Sequence, residues 1–199
     1  ESFLRYVLAR VDWRRDLHFQ TRTTIDTLDY SGRGLNKGSK VVIAATGMPI
    51  RSLGEELPVN LRLPKGFRHP RVVFPGVLAV ESPACTDDND GHQLSSFVSA
   101  FSADAEFERF PLVTLVDDSG FAARSISNWL WVTFTRSNPA IDVDGIEASV
   151  QNKHWGCRGA LVIDARRKPH HSPQLIEDPK VTAKVDAMAA RGGPLSRYL

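Results

Sequence analysis

Cysteine is scarce here: Cys85 and Cys157 are the whole complement of a 199-residue chain. Two thiols cannot build a disulfide scaffold, so a reducing, cytoplasmic setting is expected. Long apolar runs are also missing. No stretch approaches the roughly 18 residues needed to span a bilayer, and no signal peptide opens the chain, so no membrane partner is expected. An excess of one charge is absent as well. Against 23 Asp and Glu stand 25 Lys and Arg, a formal net charge of +2, without the clustered basic face that nucleic-acid binding needs. Neither a Walker loop nor a G-x-G-x-x-G run occurs, and the Gly32, Gly34 and Gly38 group lacks the preceding strand that makes a phosphate cradle. No internal repeat stands out. The first residue is Glu1 rather than methionine, which reads as a piece processed or excised from something larger.

What is present is enough apolar matter for a core: 42% of residues are hydrophobic and 24% charged, as in an ordinary globular domain or two small ones. Leu4, Val7, Leu8 and Val11 share one face of a helix at the start. Residues 12–36 are polar and irregular, with a turn over Ser31-Gly32-Arg33-Gly34, and Lys40–Ala45 reads as a short buried strand. Pro49, Pro58, Pro64 and Pro70 punctuate a long surface connection, so the chain divides into a lead-in of residues 1–70 and an α/β domain of residues 71–199. Within the latter, residues 71–80, broken at Pro75-Gly76, are expected as one or two strands, with further strands over 112–116 and 160–164. An acidic turn over 87–91 precedes a helix over about 92–103 carrying Leu94, Phe97, Val98 and Phe101, and a helix over 178–191 ends the chain. Residues 122–135 place Ile126, Trp129, Leu130 and Phe134 at helical spacing, while the alternation of Trp129, Trp131 and Thr133 also suits a strand. Strands separated by helices predict a layered α/β/α domain with a mixed, largely parallel sheet.

Three constellations carry candidate chemistry. Asp117 and Asp118 end the best strand, where open α/β sheets place ligands; they read either as a metal or acid–base pair or as a helix cap beside a solvated acid. His154, Cys157, His170 and His171 are soft or borderline ligands, but their spacing fits no standard zinc finger, and no metal site is assigned. Cys157 with His154 reads either as a thiol–base pair or as a buried structural cysteine beside a loop over 150–158. Trp129, Trp131 and Phe134 are expected as core or interface anchors.

One series of motifs is more specific. Leu112 through Asp118 is an apolar strand closing in two aspartates. Asn128-Trp129-Leu130-Trp131-Val132, Thr135-Arg136, Asn138-Pro139 and Asp142 follow, then Gly159–Ala165, Lys168, Asp178-Pro179 and Val185-Asp186-Ala187. In this order they resemble the carboxyl-terminal domain of the UbiD family of decarboxylases, over about residues 110–190. The segment before them, with Arg15-Asp16-Leu17-His18 and Thr24–Tyr30, resembles what precedes that domain in longer members.

The resemblance implies a reversible carboxy-lyase acting on aromatic or α,β-unsaturated acids, with prenylated flavin mononucleotide, a divalent metal and a monovalent cation as cofactors of the complete enzyme. It implies that this chain supplies oligomer contacts and one wall of the substrate pocket. The alternative is a non-catalytic assembly subunit of a multi-subunit enzyme. The family's catalytic Arg and two Glu have no counterpart here; Glu55-Glu56 lies in the wrong context. By position, the loop after Asp142 that closes on the substrate maps onto Val150 to Trp155, which makes Gln151, Lys153, His154 and Trp155 pocket candidates. Lys153 would attract a carboxylate as a point charge, and His154 would exchange a proton near neutrality. Where the family offers a lysine to the flavin phosphate, residues 102–111 offer only Arg109.

Overall fold

The computed structural model describes residues 1–32, 34–87, 91–102, 107–173 and 176–198. In chain order, α1 (Ser2–Leu8) leads into a hairpin of β1 (Leu17–Thr23) and β2 (Gly38–Ile43). After the proline-rich connection come β3 (Arg68–Phe74), β4 (Val77–Glu81), α2 (His92–Ser99), β5 (Leu112–Val116), α3 (Ser119–Ala122), α4 (Ile126–Arg136) and α5 (Pro139–Asp142). The chain continues through β6 (Val143–Gly145), a hairpin of β7 (Ala148–Gln151) and β8 (His154–Cys157), β9 (Leu161–Asp164) and α6 (Pro179–Ala189).

The main sheet has the order β3-β4-β5-β9-β6. Its middle strands β4, β5 and β9 run parallel, and the flanking β3 and β6 run antiparallel to their neighbours. Period-two alternation sends Leu78, Val80, Val113, Leu115 and Val162 to one face, where Leu94 and Phe97 of α2 cover them. The intervening residues Val77, Leu112, Leu161 and Ile163 meet Trp129 of α4 on the other face. Every residue of β5 is buried, as expected for a strand sandwiched between helical layers. Each such Val, Leu or Ile contributes about 1.5–3 kcal/mol on burial. The domain is the expected α/β/α sandwich.

Local signals explain the helix boundaries. Ser125 accepts from the Asn128 N–H to start α4, which settles residues 126–136 as a helix, and Asp178 accepts from the Lys180 N–H to start α6 ahead of Pro179. Gly76, at φ +86°, makes the tight turn between β3 and β4.

Some expectations change. Residues 17–23, read as irregular, form β1, because its partner β2 supplies the ladder that its own composition does not announce. β2 is half exposed rather than buried, since among the described residues its only strand partner is β1. The loop expected over 150–158 is the β7–β8 hairpin, turning through Asn152 and Lys153 at φ 51° and 65°. Arg33 of the first turn, residues 88–90 of the acidic turn and residue 103 of the helix after it lie outside the described residues.

The backbone also repeats a unit that the letters conceal. β1 pairs with β2 through Leu17↔Ile43, His18↔Val42 and Phe19↔Val41; β6 pairs with β9 through Val143↔Ile163, Asp144↔Val162 and Gly145↔Leu161. Ahead of each pair an aspartate closes the same turn: Asp16 Oδ2 accepts from the Asp12 N–H at 2.9 Å, and Asp142 Oδ2 accepts from the Asn138 N–H at 2.7 Å. A helix precedes both, with Leu4 and Arg10 in the places of Leu130 and Arg136. The chain therefore holds two helix–turn–strand–strand units. Few identities survive between them, and the loops joining their strands differ, so periodicity in the sequence is lost.

Trp129 joins helix to sheet: its ring packs on Phe74 at 5.3 Å and its Nε1–H donates to Thr114 Oγ1 at 3.0 Å. Trp129→Ala is expected to cost about 3–5 kcal/mol in urea unfolding, and a loss under 1 kcal/mol would show that α4 is not anchored there.

Candidate functional site

The carboxyl ends of β5 and β9 open into a cleft of about 1250 Å³, the position at which open α/β sheets bind ligands. Asp117 and Asp118 end β5 there, and their roles differ. Asp118 Oδ1 accepts from the Phe121 N–H at 2.8 Å and caps α3. Asp117 Oδ2 accepts from Arg136 Nη1 at 3.0 Å and from the Arg167 N–H at 2.9 Å. The pair is thus a cap and an ion-pair acceptor. The guanidinium of Arg136 also lies over the Trp131 ring, 5.2 Å from its centroid. Of the three aromatics expected as core or interface anchors, Trp129 is in the core, while Trp131 and Phe134 are exposed and line the cleft. Leu28, Asp29 and Tyr30, from the loop between β1 and β2, line its far side. The first unit therefore walls a cleft built on the second.

Behind the cleft lies a buried polar lock. Lys168 Nζ donates to the Asp164 carbonyl at 2.8 Å and the Arg136 carbonyl at 2.9 Å, and meets Asp142 Oδ2 at 3.2 Å, so its three protons are all used. Burial pushes the Asp142 carboxyl above the usual range, and the Lys168 ammonium opposes that shift. Beside it Asp164 receives Arg166 in a two-pronged pair, Nε to Oδ1 at 2.9 Å and Nη2 to Oδ2 at 2.7 Å, both side chains buried. Ser39 of β2 donates to Asn138 Oδ1 and accepts from the Ala140 N–H at 2.8 Å, which fastens the first hairpin to the lock. Sequence reasoning passed over these residues as motif letters. Their signal was a charged residue at the end of an apolar strand, where burial demands a partner.

The four pocket candidates stand elsewhere. Gln151 and Lys153 are exposed on the β7–β8 hairpin, Lys153 at its tip. His154 and Trp155 are half buried, packing edge-on against His18 and Phe19 of β1 at 5.7 Å and 5.4 Å. The structure brings these four together on one hairpin, and none of them lines the cleft. Cys157 is a core residue. Its sulfur lies so close to Gly145 that a Cβ there would meet it at 2.3 Å, and burial pushes its thiol up to about 12. Packing and burial there disfavour a thiolate nucleophile.

Prenylated flavin with a divalent metal needs a phosphate cradle and converging hard ligands, and the described residues do not fit it. Arg109 is exposed and donates through Nη2 to the Leu53 carbonyl at 3.3 Å. Gly32 and Gly38 are small because Ile25 and the Lys37 carbonyl crowd them, not to leave room for phosphate. Among the described residues no group of three His, Cys, Asp or Glu converges.

Comparison with known proteins adds to this geometry. Residues 1–45 match a family model described as the 3-octaprenyl-4-hydroxybenzoate carboxy-lyase C-terminal domain. An uncharacterized protein of Chlamydia trachomatis is 33% identical over 178 residues, 89% of this chain and 29% of its own length. A Chlamydia pneumoniae protein, named as a subunit of 4-hydroxybenzoate decarboxylase, is 28% identical over 182 residues, 92% of this chain and 29% of its own length. The chain thus spans 29–30% of the length of these relatives and of a third from Chlamydia muridarum. The family-model match falls on the first unit, whereas the sequence motifs were read over residues 110–190. The match therefore lies in the part of the chain that the sequence reading took as the segment ahead of that domain.

Two outcomes test the site. Lys168→Met strands the Asp142 charge and should cost about 3–5 kcal/mol near neutral pH. Without the ammonium the folded state holds a proton on Asp142 that the unfolded chain has released. Stability of the variant should therefore fall as pH rises above the ordinary carboxylate range, and its deficit against the parent should be smallest at the acid end; a pH-independent deficit in denaturant titrations would contradict the pairing. Cys157 should resist iodoacetamide at about pH 8 until urea unfolds the protein, and rapid labelling of the folded chain at that residue would refute its burial.

Proposed function

We propose that this chain is sequence of the carboxyl-terminal domain of a UbiD-type carboxy-lyase, and that it forms part of a larger (de)carboxylase for aromatic or α,β-unsaturated acids. The observation that carries the reading is the carboxy-lyase match of residues 1–45 within a chain whose long relatives align along about nine-tenths of it. The role is to contact the rest of the enzyme and its oligomer partners and to wall the substrate pocket. The flavin and metal are held by the remainder of the enzyme, in keeping with the misfit at Arg109.

In this reading the β7–β8 hairpin closes on the substrate. Lys153, raised at the tip by two successive left-handed residues, offers an ammonium to the substrate carboxylate. Gln151 and Trp155 shape the wall. His154, whose Nε2 is buried without a hydrogen-bond partner, holds or passes a proton. A second reading is supported by the Chlamydia pneumoniae relative, whose name makes it one subunit of a decarboxylase: the protein would be a non-catalytic assembly subunit that serves a separate catalytic chain.

The test is turnover by the complete protein supplied with prenylated flavin mononucleotide and a divalent metal. Release of carbon dioxide from 4-hydroxybenzoate or a cinnamate-type acid is expected, and Lys153→Ala should raise KM about tenfold with kcat little changed. Activity appearing only after addition of a second protein would favour the assembly reading. No turnover of any acid in either format would remove the carboxy-lyase reading.

A further inference from the structure

The two repeated units have unequal surroundings, and the difference is systematic. In the second unit β9 lies between β6 and β5; in the first, its counterpart β2 pairs, among the described residues, with β1 alone. The ladder shows which groups this leaves open. The Ala44 N–H donates inward to the Asp16 carbonyl, so alternation turns the amides of Val41 and Ile43 outward. Their counterparts at Leu161 and Ile163 face β5, as the donation from the Leu161 N–H to the Pro111 carbonyl at 2.9 Å shows.

Side chains follow the backbone. Phe3 is 73% exposed while Trp129, in the same place, is 1% exposed; Tyr6 is 49% exposed against 2% for Val132; and Val42 is 49% exposed against 0% for Val162. In the second unit each of these buried residues packs on something the first unit lacks. Trp129 meets Leu112 and Thr114 of β5, Val132 meets Val116 of β5 and Ala122 of α3, and Val162 meets the α2 side of the sheet. An unpaired, apolar strand edge of this kind is a docking template. Arg10 completes the parallel. It stands where Arg136 takes the carboxylate of Asp117 one residue past β5, and it rests instead on the Gly47 carbonyl and the Tyr6 ring.

We infer that the open edge of β2 is a docking site for a parallel β-strand of the β5 type. That strand is an apolar run of about five residues closing in an acid that Arg10 receives. The occupant is a segment of the same protein lying outside these 199 residues. The open edge follows from the repeat alone. The source of the strand rests on the proposed reading of the chain as part of a protein of its relatives' length, some three times longer. With the strand in place, the hairpin becomes a three-stranded sheet beside the first, and Phe3 and Tyr6 are covered as β5 covers Trp129 and Val132.

Amide hydrogen exchange tests this on the 199-residue chain and on the complete protein. In the chain alone, Val41 and Ile43 should exchange at near-unprotected rates while Leu161 and Ile163 are protected. In the complete protein, Val41 and Ile43 should slow by about a hundredfold or more, and Arg10→Ala should return at least about tenfold of that protection. Fast exchange of Val41 and Ile43 in the complete protein overturns the proposal, as does full protection in the chain alone at every concentration. Protection that grows with the concentration of the chain alone assigns the edge to a second copy and also overturns it. Unchanged protection in Arg10→Ala removes the acid from the occupant. Slow amides in a complete protein with no decarboxylase activity would keep the strand and discard only the carboxy-lyase reading.

Discussion

The ammonium of Lys168 is where the parts of this molecule meet. It lies beyond the end of β9, inside a shell made of the last carbonyl of α4, the last carbonyl of β9 and the carboxylate that ends α5. A buried cation is tolerable only when all its protons are used and a counter-charge is near. Meeting both demands here fixes the spacing between helix and sheet and the position of the turn before β6. Through Asn138 and Ser39 the same shell reaches the first hairpin. The cleft in front of the lock keeps its shape because its rear wall cannot shift without exposing that charge.

The internal repeat gives the cleft its second wall. The loop between β1 and β2 carries Leu28 and Tyr30 across to the cleft of the second unit. In return the β7–β8 hairpin of the second unit lays His154 and Trp155 on β1. Each unit inserts its own variable loop against the other. Equivalent positions therefore serve different ends: a loop that walls a cleft in one unit is a hairpin that packs and presents Lys153 in the other. The close fit at Gly156, where a Cβ would meet the Trp13 carbonyl at 2.6 Å, shows how tightly the exchange is made.

Much of the frame was legible because it depends on period and punctuation. The apolar runs of β4, β5 and β9 read as buried strands and residues 178–191 as a helix, whereas residues 122–135 suited helix or strand until the Ser125 cap and the packing of Trp129 decided it. β1 was not legible. Leu17–Thr23 alternates weakly, with most of its side chains in solvent, and it is a strand because Val41–Ile43 lies beside it. The β7–β8 hairpin hid for a related reason: Asn152-Lys153 lacks the glycine that usually marks such a turn, and Ala148–Gln151 is wholly exposed. Of the site, Asp117 and Asp118 could be placed at a strand end. Which of them capped a helix and which took an arginine depended on where Phe121, Arg136 and Arg167 came to lie.

By itself the sequence determined the layer order, the buried strands, the near-neutral surface and the motifs that carry the family likeness, because these follow from local pattern and residue chemistry. Only the tertiary structure decided that Lys168, Asp142 and Asp164 share one buried shell, that Cys157 is packed and inert, and that one unit is built twice. Those facts rest on contacts between residues far apart in the chain. They also rest on backbone register, which can be conserved after nearly every letter that specified it has changed.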